Sequence, residues 1–118
     1  MPSNDPGLYL SEIVANIDLI RSFTVDLSFD EYAADHKTVY AVFRALEIIS
    51  EASRRIPDDI KARRSDIDWH GMAAFGNVLR HTYRDVEHRV VWDIVQRDLM
   101  PLRRIASTEL AALSGPQS

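Results

Sequence analysis

Cysteine is absent from this 118-residue chain. That excludes a disulfide framework, a thiolate zinc site and a cysteine nucleophile. Glycine and proline number only four and five, too few for the many turns of a chain of short strands. Lysine is scarce: Lys37 and Lys61 are the two, and the other 12 basic residues are arginines. Apolar runs are only a few residues long, far short of the ~20 residues of a membrane-spanning helix. Residues 1–10 lack a basic segment followed by an apolar stretch, so no signal peptide is expected, and a cytoplasmic protein is. Positive charge is also short overall. The net charge of −4 excludes the broad positive field of a sequence-blind nucleic-acid coat, and no DNA partner is expected.

What remains is enough for one domain. Forty-six per cent of the residues are apolar, sufficient for a single sizeable core. We expect one domain over residues 1–118, with its body at about 7–113 and a fraying tail at 114–118. Arginine holds phosphate oxygens through a planar, bidentate fork, so a small, local phosphate site fits even an acidic chain.

The apolar pattern is helical throughout. A first helix is expected at 7–25, where Leu10, Ile13, Val14, Ile17, Ile20 and Val25 recur at spacings of three and four, with a drift at the end; Asp5 caps it and Pro6 enters its first turn. A second is expected as one long helix at 28–56. Ser28 with Glu31 makes a capping box, and Val39, Phe43, Leu46 and Ile49 form a stripe widened by Val42, Ala45, Ile48 and Ala52. Such a helix would be about 40 Å long, implying an elongated bundle. Pro57 closes it, a short turn of helix follows at 58–64, and 65–68 is a polar break. A third helix is expected at 69–81, a turn at Arg84-Asp85, and a fourth helix at 86–99 with Val90, Val91, Ile94, Val95 and Leu99 facing the core. Pro101 predicts a kink or restart, with helix resuming to about Leu113. The fold class is all-α: an up-and-down bundle of four main helices with a short fifth.

The densest polar constellation is Asn77-Val78-Leu79-Arg80-His81-Thr82-Tyr83-Arg84. On a helix, Asn77, Arg80, His81 and Arg84 stand at i, i+3, i+4 and i+7, on one face. An imidazole titrates near pH ~6.5 and moves protons at neutral pH; guanidinium groups hold phosphate or a charge-rich transition state. The set suits phosphate-ester chemistry without a metal. RNA cleavage is a fitting reaction, with His81 taking the 2′-hydroxyl proton and Arg80 and Asn77 stabilising the phosphate. A two-fold dimer would bring two such pairs into one cleft. The commoner role of such a face is a solvated surface or a hydrogen-bonded interface. Tyr83 joins the site only if the chain turns after His81, and otherwise is a half-buried aromatic.

The other polar groups read as structural. His36 is expected to be partly buried beside Tyr32 and Tyr40, and His70 to be structural. His81 and His88 lack the spacing of a zinc motif, so no metal and no cofactor is expected. Glu47 and Glu51, one turn apart, read as a solvated stripe, with Glu51 reaching an arginine across the bundle. Arg103 and Arg104 read as surface charge.

Several stretches together resemble the HepT-like proteins of the HEPN group of helical ribonucleases. They are Phe29-Asp30-Glu31-Tyr32, the run Val42-Phe43-Arg44-Ala45-Leu46-Glu47-Ile48-Ile49-Ser50-Glu51-Ala52, Asp68-Trp69 leading into Met72-Ala73, Asn77 to Tyr83, and Val90-Val91-Trp92-Asp93-Ile94-Val95. The resemblance implies an all-helical homodimer. It implies the toxin of a toxin–antitoxin pair whose partner is a minimal nucleotidyltransferase, with RNA as substrate and tRNA among the candidates. The family motif is Arg-x4-His-x-Tyr, commonly with Asn after the Arg. His81 matches its His, Asn77 its Asn, and Tyr83 the Tyr that the partner modifies with AMP. Gly76 stands where the motif has Arg, and Arg80 is the candidate substitute. The resemblance also leaves a second reading, a dimeric binding subunit of the nucleotidyltransferase that cuts nothing, for which Gly76 speaks.

Overall fold

Asp5 and Pro6 begin the first helix as expected. The computed structural model describes residues 5–81 and 88–113, the side chains of 77–81 excepted. Helix α1 spans Pro6–Thr24. Asp5 Oδ1 accepts from the Gly7 N–H at 2.9 Å, and Pro6 sits in the first turn, where a missing N–H leaves no bond unmade. Leu10, Ile13, Ile17 and Ile20 are fully buried along one stripe. The chain leaves α1 through Asp26, whose φ of 68° is a left-handed conformation that aspartate tolerates better than most residues.

The single long helix expected at 28–56 is two helices. Helix α2 spans Phe29–Ala34 behind the expected capping box: Glu31 N–H donates to Ser28 Oγ at 3.1 Å and Ser28 N–H to Glu31 Oε1 at 2.8 Å. Helix α3 spans His36–Arg54. Between them Asp35 takes an extended conformation, φ −98° and ψ 92°. Its carboxylate accepts from Thr38 N–H at 3.4 Å and from Thr38 Oγ1 at 2.7 Å. An aspartate that satisfies the first donors of a new helix competes with continuing the old one. Apolar periodicity does not register that competition.

Pro57 precedes α4, Asp58–Arg63. Helix α5 spans Trp69–His81, the expected range. Helix α6 spans His88–Arg97 and α7 spans Leu99–Leu113. The restart expected near Pro101 therefore occurs two residues earlier. Pro101 is the third residue of α7, where its missing N–H has no intrahelical acceptor to lose. Residues 82–87, with the expected Arg84-Asp85 turn, and the 114–118 tail lie outside the described residues.

Helix α3 is the centre of the bundle, packed on α1 and on α5, while α1 also packs on α7. Rods laid side by side give an elongated body of 50 × 29 × 29 Å. The core joins Leu10, Ile13, Ile17 and Ile20 of α1 to Val42, Leu46 and Ile49 of α3, Val91 of α6, and Leu99 and Leu102 of α7. Every regular element among the described residues is a helix, and none is long and apolar enough to cross a membrane. Three expectations of burial fail. Val25 is 64% exposed, as the cap just past the end of α1. Val90 is 47% exposed beside a fully buried Val91, because neighbours on a helix diverge by about 100°. His36 is exposed, as the first residue of α3.

Charge pairing also departs from expectation. Glu51 bonds Arg55, the residue that caps the end of its own helix, at 3.0 Å, not an arginine across the bundle. The long-range ion pairs are others. Arg103 is no loose surface charge: its Nε and Nη2 donate to Asp18 at 2.7 and 3.1 Å, tying α7 to α1. Glu109, buried at 6% exposure, accepts from Arg63 and Arg64 at 2.8 Å each, tying α7 to the end of α4. The hydrogen bond from Arg63 holds the Glu109 carboxyl below the usual glutamate range, against the opposing push of burial, and the Arg64 bond adds to the lowering. A depressed carboxyl stabilises the fold fully above the ordinary glutamate pKa of ~4.3, and that contribution is lost as pH falls through the folded value. Glu109→Gln should therefore cost about 1–2 kcal/mol at pH 7, since both arginines keep part of their hydration. Urea unfolding at pH 7 and in acid checks it: the difference from wild type should shrink below pH ~4.

Candidate functional site in helix five

Asp68 starts the site-bearing helix. Its Oδ1 accepts from the Gly71 N–H at 2.9 Å, an N-cap bond. Trp69, 8% exposed, anchors that end, with its Nε1–H donating to Arg64 O at 2.9 Å. From there α5 runs without interruption to His81. The backbone therefore carries Asn77, Arg80 and His81 at i, i+3 and i+4 in its last turns, the register expected of one face. Tyr83 and Arg84 lie outside the described residues.

The middle of α5 is gripped from α3. Ser50 is 1% exposed. Its Oγ donates to Ala73 O at 3.0 Å and accepts from the Gly76 N–H at 3.1 Å. Arg54 adds a bond from Nη2 to the same Ala73 oxygen at 3.3 Å. One hydroxyl thus joins two backbone groups within a turn of α5. Gly76 is buried, with its N–H on the Ser50 hydroxyl of α3. The position of the motif arginine is therefore part of a helix–helix contact. Arg80 follows Gly76 by four residues, one turn further along the same side of the helix.

Sequence reasoning missed Ser50 as anything but part of a family-like run. The available signal was a small polar residue within the apolar stripe of Leu46, Ile49 and Ala52.

His70 is exposed. His88 opens α6 and lies edge-on to Tyr32, with ring centroids 6.2 Å apart. Trp92 is tilted against the same Tyr32 ring at 5.1 Å and stands edge-on to Phe29 at 6.3 Å. The Val-Trp step of α6 is thus packing between α2 and α6. Glu47 and Glu51 line a shallow cleft with Glu12, Arg44 and Ile48. Among the described residues no group of three or more His, Asp or Glu could hold a metal ion.

The chain matches the family described as Ribonuclease HepT-like over residues 13–109, which takes in α5. It is 43% identical over 95 residues to "Probable ribonuclease HepT" of Thermococcus cleftensis, covering 80% of this chain and 86% of that protein. Two proteins of Methanocaldococcus jannaschii, named as candidate RNases, are similar as well. One is 39% identical over 80% of this chain and 78% of its own length; the other is 32% identical over 88% and 95%. No solved structure matches significantly.

Proposed function

Because this chain belongs to the ribonuclease HepT-like family, we propose that it is a metal-independent endoribonuclease, the toxin of a toxin–antitoxin pair. The observation that carries the reading is the unbroken register of α5 from Trp69 to His81, which sets Asn77, Arg80 and His81 within two turns. His81 takes the proton of a ribose 2′-hydroxyl, and the freed oxygen attacks the adjacent phosphorus. The bond to the 5′-oxygen breaks, and that oxygen leaves with the proton that the His81 imidazole had taken up. The products end in a 2′,3′-cyclic phosphate and a 5′-hydroxyl. Arg80 and Asn77 hold the phosphate oxygens as charge develops, with Arg84 as a further cation. The chain works as a homodimer in the cytoplasm, where a second copy supplies the other half of the cleft. A minimal nucleotidyltransferase silences it by attaching AMP to the Tyr83 oxygen, which places a phosphate beside the cations meant for RNA.

Purified protein incubated with total RNA and tRNA in the presence of a chelator tests this. Fragments ending in 2′,3′-cyclic phosphate are expected; RNA left intact by unmodified protein overturns it.

One observation favours a second reading. Gly76 occupies the motif-arginine position and is buried, its N–H bonded to Ser50, which fits a dimeric binding subunit of the nucleotidyltransferase that no longer cuts. Mass spectrometry after incubation with that partner and ATP separates the two. An AMP adduct on Tyr83, together with RNA left intact by unmodified protein, selects the second.

A further inference from the structure

We propose that Ser50 is the positioning residue for the Asn77, Arg80 and His81 end of α5, a role that rests on the ribonuclease reading above. Among the described residues, its hydroxyl holds backbone atoms of both bonding types between α3 and α5: it donates to Ala73 O and accepts from Gly76 N–H. Two bonds at neighbouring points of one turn resist both sliding of α5 along its axis and rotation about it. A single bond, or apolar packing alone, resists rotation far less, because dispersion contacts are non-directional.

The placement makes this consequential. Gly76 is adjacent to Asn77 and one turn before Arg80 and His81. A helix with side chains has a radius of about 5–6 Å. Rotation of α5 by about 10° would carry a functional group through about 1 Å, and a misplacement of that size can lower a rate by about 10²-fold. The exchange at position 76 is then intelligible. A glycine puts no side chain beside the N–H that Ser50 holds, while Arg80 supplies the guanidinium one turn later. Arg54 adds a bond to the Ala73 oxygen, but from an exposed side chain that water competes for.

The test uses the full chain as wild type, Ser50→Ala, Ser50→Cys and Val39→Ala. Val39 is buried in α3, so its truncation destabilises the core without touching the Ala73–Gly76 turn. Single-turnover cleavage of tRNA is measured across pH, with RNA affinity measured separately. Ser50→Ala should lower the rate by ~10–100-fold with affinity within about twofold. Ser50→Cys, which fills the site with a slightly larger atom and weakens the bond, should fall between it and wild type, and serves alone if Ser50→Ala does not fold. Val39→Ala should cleave as wild type at temperatures where it is folded. A Ser50 variant that loses no more rate than Val39→Ala overturns the proposal. If wild type cuts no RNA, the ribonuclease reading fails by itself, and the clamp is read from the His81 imidazole by NMR. The Ser50 variants must then move its resonances and titration while Val39→Ala does not; resonances unmoved by the Ser50 changes overturn it.

Discussion

Changing His81 to alanine should slow RNA cleavage by about 10²–10⁴-fold, the usual contribution of a general base. The fold should survive, since α5 is held by Trp69 and Ser50 well before its last residue and alanine is the better helix former. Wild-type cleavage should rise as pH crosses the imidazole range near ~6.5, because the base must be neutral to accept the 2′-hydroxyl proton. His81→Ala should lose that rise along with the rate. Single-turnover rates between pH 5 and pH 8 check both, with His70→Ala as the internal comparison. His70 is exposed in the first turn of the same helix, so its loss should leave rate and profile unchanged. Equal effects at His70 and His81 would remove the assignment.

Restoring the family arginine should harm this protein. Gly76→Arg is expected to cost about 3 kcal/mol or more, and not to raise cleavage. Three penalties act together at a buried position. Overfilling a packed contact costs about 1–3 kcal/mol, a buried guanidinium without an anion costs more, and separation of the helices strands the Ser50 hydroxyl from its two backbone partners. A fall in melting temperature of roughly 10 °C or more follows for a chain of this size. Thermal unfolding measures the loss, and cleavage assayed below the transition measures activity. A variant as stable as wild type that cuts RNA faster would mean that position 76 opens onto the cleft and not onto α3.

The site was legible in the sequence to unequal depths. The α5 range and the register of Asn77, Arg80 and His81 follow from a pattern within thirteen residues, and the structure has them as expected. Caps were legible for the same reason: Asp5 acts on Gly7, and Ser28 on Glu31. The Asp35 cap, equally local, was masked by apolar spacing that runs on across it. Ser50 was not legible as a clamp, because its partner Gly76 is 26 residues away and a serine in an apolar stripe has many explanations. Glu109 was missed on the same ground, its arginines standing 45 and 46 residues earlier.

By itself, then, the sequence determined the helices, the all-α class, the family likeness and the order of groups along α5. All of these rest on contacts within about two turns or on runs of matching residues. Tertiary structure alone decided which helix grips α5, why position 76 tolerates glycine, and which carboxylates hold the arginines. The physical reason is that a buried hydroxyl or carboxylate must find a partner on whatever surface packs against it, and only the assembled bundle brings that surface near.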